Sequence, residues 1–206
     1  MLKAKGLLIK NKKLFDEVEK EFKVEKELLL ALWGIETNFG KHVGKMDIIS
    51  SLATLSFDKR RSEFFSNELI VLLKLIDQKM IDIDTLYGSW AGAIGNFQFM
   101  PSAIKNYAID YDKNNKIELK ESLQDAVASA ANYLNKIGWK YQSSCFYKVE
   151  LTKPISKKYI NTSAKKIKNY LTINLWKKKG IVDIEQLRDN NKAALIIPDL
   201  AVIEEN

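Results

Sequence analysis

The chain reads as a mainly α (α+β) protein, with a helical core over residues 1–140 and a small, basic, mixed β-containing appendage over residues 141–206. Two observations carry this. Apolar residues recur at helical spacing through the first two thirds of the sequence, with capping signals at the ends of those stretches. Beyond Trp139 that periodicity weakens into short apolar runs such as SCFYKVELT and AALIIPDLAVI, which suit short strands or irregular structure. At 206 residues the chain holds one fair-sized core and a smaller second unit.

The elements follow in order. Leu14, Phe15, Val18 and Phe22 mark an amphipathic helix from about Lys12 to Phe22, and after a short break Leu28, Leu32, Ile35 and Phe39 repeat at helical spacing. A third helical pattern runs from about Asp47 to Ser56. Ser62 is placed to cap a longer helix, whose Phe65, Leu69, Leu72, Leu73 and Ile76 form an apolar face. The texture then changes to GSWAGAIGNFQFMPSA, where Gly88, Gly92 and Gly95 indicate irregular backbone that another surface can approach closely. Pro101 suits the first turn of a short helix through about Ala108. Ser122 and Asp125 form a capping box for a helix through Lys136, which Gly138 ends.

Within LLLALWGIETNFG, Leu28 to Gly40, one carboxylate interrupts an apolar run. Helical spacing sets Glu36 against Leu32, Trp33 and Phe39, near a helix C-terminus marked by Gly40, and both features favour a protonated acid. The other reading is a glutamate at the rim of a half-buried helix, its head in solvent and its stem over apolar neighbours. No second carboxylate in this sequence has a comparable apolar setting.

Composition excludes several classes. Hydrophobic residues at 46% and charged residues at 29% describe a globular protein, not a disordered or fibrous one. Net charge is +7, and from Lys140 to Lys179 eleven lysines accompany one acid, Glu150. That stretch suits an anionic polymer or simply makes a solvated basic face in a lysine-rich chain. Cys145 is the single cysteine, so no intrachain disulfide forms. Leu7, Leu8 and Ile9 make too short a run for a signal-peptide core, so no export signal is expected, and no transmembrane segment is expected either.

DYDKNNKIELKE, Asp110 to Glu121, has the spacing of a calcium loop. Asp110, Asp112 and Asn114 occupy alternate positions, Lys116 would bind through its carbonyl, and Glu121 stands last. Asn115 replaces the preferred glycine, and asparagine tolerates positive φ better than most residues. The competing reading is a polar turn between two helices.

ALWGIETNFG, SLATLSFDKRRSEFF, GSWAGAIGNFQFMPSA and AIDYDKNNKIELKESLQDAVASAANYLNKIGW, in that order, resemble the membrane-bound lytic murein transglycosylase B family. The resemblance runs from about Leu14 to Trp139. It implies a lysozyme-like helical core acting on peptidoglycan glycan strands, cleaving the β-1,4 bond between N-acetylmuramic acid and N-acetylglucosamine with formation of 1,6-anhydromuramic ends. By motif, Glu36 would be the single acid/base, and Ser89 and Gln98 would line the cleft and bond the carboxylate or the sugar. Arg60 and Arg61 match a paired-arginine motif suited to the carboxylates of peptide stems. The resemblance further implies an EF-hand-like site for a structural Ca2+, with Asp125 in place of Glu121 as the last ligand, and no cofactor for the chemistry.

No nucleic acid partner is expected, and a monomer in the bacterial cell envelope or periplasm is. Members of that family carry a longer N-terminal region, an export or lipoprotein signal, and a C-terminal portion rich in Tyr and Asn that returns to the cleft. Beside them this chain reads as shortened at both ends. The alternative is therefore a truncated, weak or inactive relative that holds peptidoglycan without cutting it.

Overall fold

Helix α1 (Leu2–Lys10) begins the computed structural model, which describes residues 2–144, 146–163 and 167–197. Cys145 and the end of the AALIIPDLAVI stretch lie outside the described residues. The chain divides into two compact units, residues 1–143 and 144–206.

In the first unit the apolar run Leu7, Leu8 and Ile9 is part of α1; Leu7 and Leu8 pack against the core and Ile9 is exposed. Helix α2 (Lys12–Phe22) buries Phe15 and Val18 completely and stops at Lys23, whose φ of 54° closes a left-handed cap. Helix α3 (Lys26–Thr37) buries Leu29, Leu30, Trp33 and Thr37. This corrects the expected stripe of Leu28, Leu32, Ile35 and Phe39. Leu28, Leu32 and Phe39 are half-buried and Ile35 is 79% exposed. A helix apolar on most sides leaves its inward face to be chosen by its neighbours.

Strand β1 (Met46–Asp47) leads into α4 (Ile48–Ser56), which Asp47 caps by accepting from the Ser50 amide at 2.6 Å. Helix α5 (Ser62–Asp77) starts without a side-chain cap, because the Ser62 hydroxyl donates back to the Ser56 carbonyl instead. Its core face is Phe65, Glu68, Leu72 and Leu75, while Leu73, expected inside, is half exposed. After the short helix η1 (Ile83–Thr85), strand β2 (Tyr87–Gly88) pairs antiparallel with β1. Pro101 opens α6 (Pro101–Tyr107), and α7 (Leu123–Lys136) runs through the middle of the unit. Ala126, Val127, Ala128, Ser129, Ala130 and Ala131 are all buried on α7. Their small side chains let α2, α3 and α6 pack closely around it. Each fully buried large side chain, such as Leu52 or Leu72, contributes about 1.5–3 kcal/mol by leaving water.

The second unit has its own small core of Ile173, Trp176, Ile181, Ile184 and Leu195. It is built from a short helix η2 (Lys157–Tyr159), helix α8 (Ile173–Lys178) and pairs of two-residue strands. Strand β3 (Glu150–Leu151) pairs antiparallel with β6 (Ile181–Val182), and β5 (Leu171–Thr172) likewise with β7 (Lys192–Ala193). Strand β4 (Ile160–Asn161) pairs parallel with β8 (Leu195–Ile196). The Trp176 indole donates to the Ala193 carbonyl at 2.9 Å, which ties the helix to this strand layer.

Candidate active site

Glu36 occupies the last turn of α3, and the chain behind it turns sharply. Asn38, Phe39 and Gly40 all have positive φ (50°, 61° and 77°), which ends the helix and reverses the backbone. The Phe39 ring folds back over Gly34, where a Cβ would stand 2.8 Å from it, and meets Trp33 edge-on at 5.6 Å. Glu36 itself is exposed, which corrects the expected water-poor setting. The cause is the helix rotation above: Trp33 and Thr37, about 40° apart on the wheel, take the inward positions, and Glu36, about 60° and 100° from them, is turned out. Among the described residues the Glu36 carboxylate has no hydrogen-bond or ion-pair partner.

The turn after α3 is framed by the glycine-spaced segment. Gly44 lies directly on β2, since a Cβ there would be 2.0 Å from the Gly88 carbonyl and 2.5 Å from the Ser89 amide. Ser89 accepts from the Ala93 amide at 2.9 Å through its hydroxyl, so its own proton stays free to donate. Gln98, with φ of 52°, donates to the carbonyls of Val43 at 3.2 Å and Gly95 at 2.9 Å, leaving its side-chain oxygen available. Trp90 is 69% exposed, whereas Phe97 and Phe99 belong to the core.

Beneath this turn lies a buried polar knot that sequence reasoning missed. Asn96 accepts from the Trp33 indole at 2.9 Å and donates to the carbonyls of Leu119 (3.1 Å) and Lys120 (2.9 Å). Its own carbonyl accepts from the Thr37 hydroxyl at 2.8 Å, and its amide donates to Leu119. An asparagine among glycines looks like a turn residue; its partners lie 23 to 63 residues away.

Arg60 and Arg61 stand in the α4–α5 turn with separate partners. Arg60 grips Asp58 through two guanidinium nitrogens, and those bonds hold the Asp58 carboxyl down to about 2. Arg61 instead stacks on Phe64 and Phe65, at 4.5 and 4.9 Å from the ring centres, with no carboxylate partner among the described residues.

Two buried carboxylates correct the expectation that Glu36 has no rival. Glu68, 5% exposed, accepts from the Ser102 amide and hydroxyl at 2.8 and 2.7 Å and so anchors the start of α6. Asp125, fully buried, accepts from the Tyr111 amide at 2.8 Å and the Glu118 amide at 3.0 Å. Burial pushes the Asp125 carboxyl up, while the amides of Glu118, Tyr111 and Asp112 pull it the other way. Both carboxylates are thus engaged by protein donors.

The capping box is thus shared. Ser122 caps α7 by accepting from the Asp125 amide at 3.2 Å, but the Asp125 carboxylate turns away to the loop. Oxygens of Asp110, Asp112 and Asp125 lie within 4.8 Å of one another. Asn114 Nδ2 donates to Glu118 at 2.9 Å, the Lys116 amide donates to Asn114 Oδ1 at 2.8 Å, and Asn115 adopts φ of 68°. Glu121 is outside this cluster, 3.5 Å from the Lys120 ammonium. A groove of about 710 Å3 runs beside the loop, lined by Lys10, Lys13, Glu17, Asp112 and Glu121 among others, and Glu36 is not part of it.

The helical first unit, the turned-out carboxylate at the end of α3 and the glycine-spaced frame around it define a lysozyme-like lytic transglycosylase architecture. Residues 1–204 match the Transglycosylase SLT domain family, SLT_2, and the chain belongs to that family. Over 117 residues it is 43% identical to membrane-bound lytic murein transglycosylase B of Escherichia coli (strain K12), which covers 56% of this chain and 32% of that protein. SltB3 from Pseudomonas aeruginosa, solved in complex with NAG-anhNAM-pentapeptide, superposes with a TM-score of 0.83 at 30% identity, covering 95% of this chain and 52% of SltB3. Slt35 of Escherichia coli, solved in complex with calcium, gives 0.78 at 29%, covering 94% and 60%. The chain therefore spans about a third of the curated relative and half to three fifths of these structures.

Proposed function

We propose that the protein is a peptidoglycan lytic transglycosylase in which Glu36 is the single acid/base. The observation that carries this is the place and state of one carboxylate: Glu36 stands exposed and partnerless at the end of α3 over the framed turn, while Glu68, Asp125 and Asp47 are each engaged by backbone donors. Glu36 protonates the glycosidic oxygen as the bond to the muramoyl anomeric carbon breaks. As carboxylate it then takes the proton of the muramoyl 6-hydroxyl, whose oxygen attacks that carbon and closes the 1,6-anhydro ring. The acid is regenerated and no water is consumed. Because the substrate supplies the nucleophile, the second carboxylate of ordinary glycosidases is unnecessary. The apolar setting a proton donor needs comes from the glycan itself, which displaces water from Glu36 and the exposed Ile35 when it lies over the turn. Ser89 and Gln98 keep a free donor and a free acceptor for the carboxylate or the sugar. Arg61, whose charge is not neutralised by a neighbour, suits a stem carboxylate better than Arg60 does.

SltB3 was solved with a NAG-anhNAM-pentapeptide, which supports the same substrate class here, glycan strands bearing peptide stems, and with it a place in the cell envelope. No helix among the described residues is long and apolar enough to cross a membrane. Mass spectrometry of the soluble products released from isolated peptidoglycan tests the reading. Fragments ending in 1,6-anhydromuramic acid support it; reducing muramoyl ends would make the protein a hydrolase, and binding without release would make it a glycan-holding relative.

The loop's donor set fits a structural Ca2+. Three carboxylates converge, an asparagine takes the left-handed turn position, and Asp125 closes the set in preference to Glu121. Asn114 and the Lys116 carbonyl complete it. Ca2+ at about 100 times its Kd is expected to add about 2.7 kcal/mol, or roughly 5–10 °C in Tm. An Asp110→Ala, Asp112→Ala double variant loses that rise; no rise in the parent protein would reduce the loop to a turn.

A further inference from the structure

We propose that Asn96 is a positioning residue for Glu36, and that it fixes the helix end carrying the carboxylate by binding α3 before and after it along the chain. The inference rests on the reading of Glu36 as the acid/base. Trp33 and Thr37 are three residues before and one residue after Glu36, and both bond to Asn96: the indole to its side-chain oxygen, the hydroxyl to its backbone carbonyl. At 100° per residue these anchors lie about 60° and 100° around the helix from Glu36. Two bonds to one residue at those azimuths fix the rotation of the last turn, which decides where the Glu36 side chain projects. The Glu36 carboxylate has no bond of its own to do this.

Asn96 is itself immobilised. Its two side-chain protons are used on Leu119 and Lys120, its oxygen on Trp33, and its amide on Leu119, all in a site 5% exposed. Gly40 packs on the same amide, since a Cβ there would be 2.7 Å from Asn96 Oδ1. Two residues on, Gln98 holds the Val43 carbonyl, so one short segment sets both the helix end and the turn behind it. Through Leu119 and Lys120 the same side chain joins α3 to the end of the Asp110–Glu121 loop, so the acid's helix and the loop share one buried anchor.

Two variants separate the arms. Thr37→Val removes the hydroxyl at nearly constant shape, and with it both the bond to the Asn96 carbonyl and the acceptor of the Gly40 amide at 3.0 Å, with Thr37→Ser as the conservative control. Asn96→Asp keeps the acceptor for Trp33 but sets an oxygen against the carbonyls of Leu119 and Lys120. Steady-state kinetics on soluble, uncrosslinked glycan strands, with the Trp33 indole N–H resonance as a local signature, should show kcat falling 10- to 100-fold with KM within about threefold, since a displacement near 1 Å costs about that much. The indole resonance should move in Asn96→Asp, and Thr37→Ser should retain the parent kcat. Folded Thr37→Val and Asn96→Asp proteins with the parent kcat would overturn the inference, as would a Thr37→Ser variant as slow as Thr37→Val. An active Glu36→Gln variant would instead remove the reading beneath it, so the two failures are distinguishable.

Discussion

Glu36→Gln is expected to lower kcat by about 10²–10⁴-fold, the range for a positioned general acid or base, equivalent to roughly 3–5 kcal/mol of barrier. Gln keeps the shape and can still donate a hydrogen bond, but it can neither give up a proton to the leaving oxygen nor accept one from the 6-hydroxyl. The carboxylate is exposed and has no partner among the described residues, so its replacement should shift stability by no more than about 0.5 kcal/mol. Product release from peptidoglycan and a melting curve on the same preparation check both halves. A variant that still releases anhydro-ended fragments at the parent rate would show that another group moves the proton.

Gly44→Ala is expected to cost stability and activity together, without touching any group that handles a proton. The residue has φ of +89°, where an L side chain is strained, and the added methyl would meet the Gly88 carbonyl at 2.0 Å and the Ser89 amide at 2.5 Å. Those are backbone atoms and cannot rotate away. The turn must therefore lift off β2, taking Ser89 and the Val43 carbonyl held by Gln98 out of register with Glu36. A loss of about 2–4 kcal/mol is expected, or roughly 5–15 °C in Tm for a chain of this size. Gly138→Ala is the matched control: φ is +102°, but nothing lies within 4 Å of the new methyl. It should cost about 1 kcal/mol of strain alone. Equal melting temperatures for the two variants would mean that the contact with β2 is not what fixes the turn.

How much of this was readable in the sequence depends on the range of the interaction. Helices α2, α3, α4 and α7 were legible because their apolar repeats, and for α7 the Ser122 cap, act within a few residues. The inward face of α3 was not legible, since Leu28, Leu29, Leu30, Leu32, Trp33 and Ile35 offer two apolar stripes and only packing chooses between them. Glu68 read as an ordinary helix charge because the donors that make its burial tolerable come from Ser102, 34 residues away. Strands of two residues, as in the second unit, are too short to show alternation. At the candidate site the motifs named Glu36, Ser89 and Gln98, but the link between them runs through Val43 and Asn96, neither of which has a local signature.

Asp125 joins a helix start to a loop fourteen residues earlier, and this bears on how the protein breathes. The Tyr111 and Glu118 amides both end on a carboxylate carried by the first turn of α7, whose own amide is held by Ser122. Neither amide can exchange its hydrogen with solvent until that turn opens. The loop, exposed over much of its length, should therefore show islands of slow exchange at residues 111 and 118, with lifetimes set by the end of a buried helix and not by the loop itself.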